Sequence, residues 1–191
     1  MRKPGVLALQ GDVAEHLQLL RDLGASPVRV KTLDDLEGVD ALVIPGGEST
    51  TIGFMLDEHD MIDPLRKRID DGMPVLGTCA GAILLADEVV GSPGQERWPH
   101  IGGLDATIHR NAYGRQVDSF EADIEVDGVG AMHAVFIRAP VIDATGEGVD
   151  VLAAHRDAPV VIRQGNLIAA TFHPELAGES GLHRLLLEAA S

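Results

Sequence analysis

Cysteine is almost absent from this chain, with Cys79 the single thiol among 191 residues. One thiol excludes an intramolecular disulfide and a zinc site built from several thiolates. Long apolar runs are absent as well, since none comes near the roughly 20 residues that cross a bilayer. The apolar stretch after Arg2 and Lys3 stops too early for a secretory signal. We therefore expect a cytoplasmic protein with no membrane partner, folded as one domain over residues 1–191.

Basic residues are also scarce, because 15 Lys and Arg stand against 30 Asp and Glu and leave a net charge of −15. Proteins that bind nucleic acid usually display a basic patch or stripe. The few cations are scattered along the sequence, so we expect no nucleic-acid partner. The acidic excess is typical of a well-solvated surface and identifies no substrate.

Short apolar runs alternate with amphipathic stretches before residue 91. The runs predict strands over 5–10, 28–30, 41–44 and 74–77, and the stretches predict helices over 13–23, 49–56, 62–69 and 80–90. Asp12 is the expected cap of the first helix, and Gly24 is expected to close it. This alternation predicts a doubly wound parallel sheet with helices on both faces.

The pattern changes after residue 91, where short apolar runs follow one another with turns between them. They predict strands over 101–109, 119–126, 134–138, 149–154, 160–163 and 167–172, before a closing amphipathic helix over 178–190. The overall expectation is a flavodoxin-like α/β fold with a mixed, mostly parallel sheet flanked by helices.

The sequence Gly-Thr-Cys-Ala-Gly at 77–81 gives the strongest chemical signal. It stands where a predicted strand ends and a helix begins, which is the setting of a nucleophile elbow with Cys79 in place of serine. Glycines on both sides allow a strained turn and close packing. A helix N-terminus favours the thiolate, which is the nucleophilic form of cysteine. A buried inert thiol is the simpler alternative, and the two flanking glycines favour catalysis.

A cysteine nucleophile needs a base, and His173 is the best placed of the eight histidines. It follows a predicted strand at the edge where open α/β sheets bind ligands, and Glu175 stands two residues later to orient the imidazole. For His16, His59, His109 and His183 we expect surface or satisfied positions on polar faces. No carboxylate is suggestively placed for His100, His133 or His155. We predict no metal site, because no His, Asp and Glu set shows ligand spacing, and no cofactor.

A Gly-Gly turn at 46–47 also follows a predicted strand and opens a helix. Backbone N–H groups exposed at such a turn bind oxyanions, although a phosphate site or a plain tight turn has the same appearance. A tetrahedral intermediate needs two donors. With Cys79 as nucleophile, the N–H groups of Gly47 and Ala80 are the candidate oxyanion hole.

Taken together, these residues resemble the class I (triad) glutamine amidotransferases. Within that class the chain is most similar to the glutaminase subunits of pyridoxal 5′-phosphate synthase, a resemblance carried by segments 9–12, 45–51, 77–81, 110–121, 136–140 and 172–175. The block 110–121 is specific to these subunits, whereas the elbow and the His-Pro-Glu sequence are shared by the wider class. No departure occurs at the triad positions.

The resemblance implies hydrolysis of L-glutamine to L-glutamate and ammonia. Cys79 would form a glutamyl thioester, His173 would transfer protons and Glu175 would orient it, with Gly47 and Ala80 holding the oxyanion. Family positions that contact substrate fall on Gly47, Glu48, Ser49, Arg110, Ile137 and Arg138. Whether the side chain or the backbone of Arg138 meets the substrate stays open at this point.

The resemblance also implies a partner, a (β/α)8-barrel synthase subunit that receives the ammonia within a large hetero-oligomer. It implies that glutaminase activity depends on docking, and Gln10 is a candidate relay to the turn at 46–47. Two alternatives remain. One is a glutaminase that serves imidazole or corrin synthesis, against which the block 110–121 speaks. The other is a regulatory module without catalysis on the same scaffold, which the presence of all three triad residues opposes.

Overall fold

Strands and helices alternate through the first half of the chain, and strands dominate the second. The computed structural model describes residues 2–91, 98–110 and 119–190. The strands are β1 Gly5–Leu7, β2 Val28–Val30, β3 Leu42–Ile44, β4 Val75–Thr78, β5 Ala86–Val90, β6 Leu104–His109, β7 Phe120–Val126, β8 Gly130–Phe136, β9 Val141–Thr145, β10 Asp150–His155, β11 Ala158–Gln164 and β12 Leu167–Ala170. The helices are α1 Val13–Asp22, α2 Leu33–Glu37, α3 Ser49–Glu58, α4 Ile62–Asp70, α5 Ala80–Leu85 and α6 Gly181–Ala189, with a short 3-10 helix at Pro174–Ala177.

Seven strands form the central sheet in the order β10-β11-β12-β4-β3-β1-β2. The five strands from β12 to β2 pair in parallel, whereas β10 and β11 add antiparallel strands at one end. Strands β3, β4 and β12 are buried along their whole length, which explains why they are continuously apolar rather than alternating. The predicted α/β fold with a mixed, mostly parallel sheet is confirmed.

An apolar core lies on each face of this sheet. Successive residues of one strand contribute to opposite cores, as Leu42 and Val43 show. Helices α2 to α5 cover one face, while α1, α6 and the β7–β8 hairpin cover the other. The helices in the described parts of the chain are all too short or too polar to span a membrane.

The predicted helix over 80–90 is wrong in its second half. Helix α5 ends at Leu85, and β5 continues directly from it to pair in parallel with β6. The unbroken apolar stretch from Ala80 to Ala86 hides this boundary, whereas Val89 and Val90 carry the β-branched preference for a strand. Helix α2, strand β9 and the short 3-10 helix were not predicted. Residues 111–118 of the family-specific block at 110–121 lie outside the described residues.

Candidate active site

The chemical residues predicted from the sequence meet at the carboxyl ends of four neighbouring strands. Gln10 follows β1, Gly47 follows β3, Cys79 follows β4 and His173 follows β12. These strands lie side by side in the order β12-β4-β3-β1. Parallel strands end at a common edge, and open α/β sheets bind their ligands there. Segments far apart in the sequence are thereby brought together around Cys79.

Cys79 occupies a strained turn between β4 and α5. Its φ of 47° lies in the left-handed region, which an L-residue other than glycine enters at a cost of about 1–3 kcal/mol. A Cβ on Gly81 would collide with the Ile44 carbonyl, and a Cβ on Gly77 would press on the Gly81 backbone at 2.6 Å. The two glycines thus let α5 pack directly against the ends of β3 and β4. This geometry agrees with the nucleophile elbow predicted from the sequence.

His173 and Glu175 stand beside the thiol, on the segment that follows β12. The Nδ1–H of His173 donates to Glu175 Oε1 over 2.7 Å, and the backbone N–H of His173 donates to the Val135 carbonyl over 2.9 Å. Both side chains are buried. Because Glu175 occupies Nδ1, the imidazole offers Nε2 to Cys79. The structure therefore brings together the three residues that the sequence predicts as nucleophile, base and orienting carboxylate.

The electrostatic setting of His173 favours the imidazolium form. Burial acts to lower the pKa of His173, but hydrogen bonding and charge attraction from Cys79 and Glu175 outweigh it and raise the pKa to about 10. Burial also raises the pKa of Glu175, and the hydrogen bond from His173 opposes that rise. A thiolate beside an imidazolium is the pair that a cysteine nucleophile requires.

Asp12 approaches the same imidazole from another direction. Its Oδ2 lies 3.3 Å from His173 Nδ1, and its side chain makes no cap hydrogen bond to α1. The predicted capping role of the Asp12 carboxylate is therefore wrong, since the carboxylate faces the imidazole instead. Ligand atoms of Asp12, His173 and Glu175 lie within 4.8 Å of one another. Two contacts of His173 Nδ1, with Glu175 at 2.7 Å and with Asp12 at 3.3 Å, bring these atoms together.

A cleft of about 400 Å³ opens in front of the thiol, within the size range of small-molecule sites. Its walls contain every residue that the sequence proposed for the site except Glu175, which lies buried behind His173. The lining residues are Gln10, Asp12, Gly47, Glu48, Ser49, Cys79, Ala80, Ile83, Arg110, Ile137, Arg138, His173 and Leu176. Of these, Asp12, Ile83 and Leu176 were not predicted as part of the site. Leu176 belongs to the unpredicted 3-10 helix.

Two arginines line the cleft, and their guanidinium groups differ in hydrogen bonding. Arg138 donates from Nη2 to Glu48 Oε1 over 2.7 Å and has a φ of 43°. Arg110 donates from Nη2 to Thr50 Oγ1 over 2.7 Å and lies 5.1 Å from the Trp98 ring centroid. Its Nη1 is buried and has no hydrogen-bond partner among the described residues. Burial lowers the pKa of Arg110, and the Glu48 charge acts in the opposite direction.

The Gly-Gly turn after β3 is held by Gln10. Its Oε1 accepts from the Glu48 backbone N–H over 2.7 Å and would lie 2.5 Å from a Cβ placed on Gly47. The N–H of Ala80 stands at the first position of α5, where a helix leaves its donors without intrahelical partners. Gly47 and Ala80 both line the cleft, as expected for two oxyanion donors.

Three histidines differ from their predicted surroundings. His16 and His183 are completely buried and contact each other, with 2.8 Å between His16 Nδ1 and His183 Nε2. The expectation that both lie on polar faces is wrong. His133 pairs with Asp123 and Glu121 at 2.8 and 2.9 Å, two carboxylates that the sequence did not reveal. Strand pairing of β7 with β8 brings them together.

Burial of His183 makes the stability of the protein dependent on pH. Desolvation lowers the pKa of His183 to about 4, against about 6.5 in an unfolded chain. Since only the unfolded state binds the proton between these values, we expect His183 alone to lower the free energy of unfolding by about 3 kcal/mol from pH 7 to pH 4. His16, whose pKa burial also lowers, acts in the same direction. Urea unfolding at a series of pH values measures this loss.

His183→Leu removes one of the two buried histidines and should make the fall between pH 7 and pH 4 smaller by about 3 kcal/mol, while His16 keeps its own contribution. His59→Asn, at an exposed histidine on the end of α3, is the matched control and should keep the full slope. Equal slopes for the wild type and His183→Leu would contradict the assignment of the pH dependence to His183.

The fold and the cleft define a class of protein, an α/β protein with a candidate cysteine nucleophile at the carboxyl edge of its sheet. Residues 6–190 match the SNO glutamine amidotransferase family, and the chain belongs to that family.

Individual relatives agree with this assignment. A pyridoxal 5'-phosphate synthase subunit PdxT from Frankia alni is 56% identical over 187 residues, covering 96% of this chain and 92% of that protein. A protein of the same name from Thermus thermophilus is 53% identical and covers 97% and 96% of the two chains. A crystal structure described as a glutamine amidotransferase superposes with a TM-score of 0.92 at 53% identity, over 98% of each chain.

Proposed function

We propose that this chain is the glutaminase subunit of a pyridoxal 5′-phosphate synthase and delivers ammonia from L-glutamine to a synthase subunit. The observation that carries the proposal is that Cys79 and His173 line one cleft with Glu175 hydrogen-bonded to His173 behind it, in a chain that belongs to a glutamine amidotransferase family. The names of the relatives supply the pathway, and the arrangement of side chains supplies the chemistry.

In the proposed reaction the Cys79 thiolate attacks the side-chain amide carbon of glutamine. The resulting oxyanion accepts hydrogen bonds from the N–H groups of Gly47 and Ala80. His173, protonated at Nε2, gives that proton to the departing nitrogen, and ammonia leaves behind a glutamyl thioester. Water then attacks the thioester while His173 takes up its proton, and glutamate leaves as the thiolate is restored. Glu175 keeps its hydrogen bond to Nδ1 throughout and orients the imidazole.

Arg110 is the better candidate for the substrate α-carboxylate. Its buried Nη1 lacks a partner among the described residues, whereas the Arg138 guanidinium is already paired with Glu48. A carboxylate would accept a hydrogen bond from Nη1 of Arg110, and such a charge-assisted hydrogen bond is stronger than a neutral one. Ser49 and the backbone at Ile137 remain available on the cleft wall for the α-ammonium group, as does the Glu48 oxygen that Arg138 does not contact.

Arg110→Lys should raise KM for glutamine by about 10-fold or more while changing kcat much less. Lysine keeps the charge but loses the planar fork that holds Thr50 with one nitrogen and offers another to the substrate. Steady-state glutamate release in the presence of the synthase subunit measures both constants. Arg163→Lys, at an arginine that donates to the Gly165 carbonyl away from the cleft, is the control. A fall in kcat with KM unchanged would refute the proposed carboxylate contact.

The proposed partner is a (β/α)8-barrel synthase subunit that covers the mouth of the cleft. Leu176 and Ile137 line the cleft and are 46% and 37% exposed, which is a large exposure for apolar side chains at a site entrance. The Gly-Gly turn lies against Gln10, so pressure on the β1 end would be transmitted to the proposed oxyanion donor at Gly47. Docking is thus proposed to adjust the turn and activate hydrolysis.

The deciding experiment mixes the chain with such a synthase subunit and measures glutamate formed from glutamine. We expect rapid release in the mixture and slow release from the isolated chain. Absence of glutamate above background in the mixture would refute the proposed function. Equal rates with and without the synthase would refute only the dependence on docking. Capture of an imidazole or corrin synthase in place of the barrel would favour the alternative pathways.

A further inference from the structure

A buried polar network lies behind the proposed triad and is used by none of the steps above. His16 on α1, Thr78 at the end of β4 and His183 on α6 are all completely buried. Burial of three polar side chains is costly unless they are hydrogen-bonded to one another. Thr78 and His183 both contact His16, and His16 also lies against Glu175.

His16 is the centre of this network. Its Nε2 lies 3.2 Å from Thr78 Oγ1 and 3.4 Å from Glu175 Oε2, and its Nδ1 lies 2.8 Å from His183 Nε2. Thr78 Oγ1 in turn accepts from the Gly46 backbone N–H over 3.1 Å. A single imidazole therefore touches the residue before Cys79, the carboxylate that orients His173 and, through Thr78, the glycine turn.

The contacts decide which nitrogen of His16 carries the proton. Glu175 Oε2 is buried and has no hydrogen bond among the described residues, so a bare Nε2 lone pair facing it at 3.4 Å would repel the carboxylate. An Nε2–H directed at Oε2 and Thr78 Oγ1 is attractive instead. Nδ1 must then accept, and the Nε2–H of His183 is the donor that meets it.

His16 also remains neutral in this arrangement. Burial lowers the pKa of His16 well below its ordinary value, and the neighbouring His183 and His173 lower it further. Burial likewise lowers the pKa of His183. The negative charge of Glu175 therefore faces one imidazolium, that of His173, and stabilises its protonated form.

The geometry points to His16 as a positioning residue of the glutaminase reaction, which holds the Glu175 carboxylate through Oε2 and leaves Oε1 aimed at His173, with His183 fixing its tautomer. This inference rests on the proposed function, since its readout is glutamine hydrolysis. It adds an outer layer to the proposed triad that ties α1 and α6 to the site. His16 touches no substrate and moves no proton in the reaction.

The test compares His16→Leu, which fills the space without a donor, with His16→Gln, which restores an N–H near the position of Nε2. Both are assayed in complex with the synthase subunit, per active site titrated by thiol alkylation. We expect His16→Leu to lower kcat about 10- to 100-fold with KM within about three-fold, because the buried Glu175 carboxylate loses the N–H that faces its Oε2 at 3.4 Å. His16→Gln should recover most of that loss.

The pH profile separates positioning from simple loss of folding. The titratable groups that face Glu175 are His173, His16 and Asp12, and those that face His16 are Glu175, His183 and His173. Losing the His16 N–H that faces Glu175 makes the Glu175 charge less favourable, so the acidic limb of kcat should move to higher pH in His16→Leu. His59→Leu, the same change at an exposed histidine, should leave both kcat and the profile as in the wild type.

Two outcomes would overturn the inference. A wild-type kcat and pH profile for His16→Leu would show that Glu175 needs no second contact. If His16→Leu and His16→Gln lowered kcat equally and the acidic limb stayed at its wild-type pH, His16 would have a structural role only. Failure of the proposed function is recognised separately, because the wild-type complex would then release no glutamate.

Discussion

Cys79→Ala is expected to abolish glutamine-dependent activity, with glutamate release falling about 10⁴-fold or more. Removal of a covalent nucleophile leaves only binding and oxyanion stabilisation, and losses of this size are usual when such a group is deleted. Alanine keeps the Cβ of Cys79, so the turn at φ 47° and the packing of α5 are retained. The measurement is glutamate release by the complex with the synthase subunit.

The control is synthesis driven by added ammonia, which bypasses the glutaminase. We expect the Cys79→Ala complex to keep ammonia-dependent formation of pyridoxal phosphate while it loses the glutamine-dependent reaction. Co-elution with the synthase subunit checks that assembly is unaffected. If glutamine-dependent synthesis persisted at the wild-type rate, Cys79 would not be the nucleophile and the regulatory alternative would gain support.

The elbow is the part of the site that local sequence predicts best. Gly77, Cys79 and Gly81 are adjacent in the chain, and the reason for each glycine is a short-range collision. His173 is predicted almost as well, because it directly follows a buried strand. Parallel strands end at one edge, so their following residues meet without any knowledge of the loops.

The partners of these residues are harder to predict, because helix packing rather than chain order sets them. Asp12 stands at a normal N-cap position, and only the approach of the segment after β12 turns its carboxylate towards His173. Arg110 likewise depends on Thr50 and Trp98, which come from other elements. No local pattern encodes such distances.

The buried histidines did carry a signal in the sequence. His16 precedes Leu17 and Leu20, and His183 precedes Leu187 by one helical turn, so each lies on the apolar stripe of its helix. A histidine within an apolar stripe is buried by the same packing as its neighbours and then needs a polar partner. The prediction that both lie on polar faces fails because it does not take that position into account.

Helix α5 shows a different limit of sequence reasoning. The run from Ala80 to Ala86 is apolar on all sides, because α5 is fully enclosed, so its periodicity marks no end. The change to β5 is fixed by pairing with β6, which is distant in sequence. Val89 and Val90 favour a strand, but two residues are too few to mark the end of a helix after such a long apolar run.

Glu175→Gln is expected to lower kcat for glutamine hydrolysis about 10²- to 10³-fold, with a smaller change in KM. The amide oxygen can still accept from His173 Nδ1–H, so the geometry survives while the charge is lost. Without that charge the pKa of His173 should fall from its value of about 10, because Glu175 supports it through both a hydrogen bond and charge attraction. The measurement is the pH dependence of kcat in the complex, where the limb due to His173 should shift to lower pH.

Asp12→Asn is the matched control, because it neutralises the second carboxylate near the same nitrogen. Asp12 Oδ2 lies 3.3 Å from His173 Nδ1 and is partly exposed, whereas Glu175 Oε1 lies at 2.7 Å and is buried. Solvent screens the exposed charge more strongly, so its removal should cost only a few-fold in kcat. A larger loss from Asp12→Asn than from Glu175→Gln would make Asp12 the orienting carboxylate. The sequence alone could not rank these two groups, since their ranking depends on burial that only the folded chain creates.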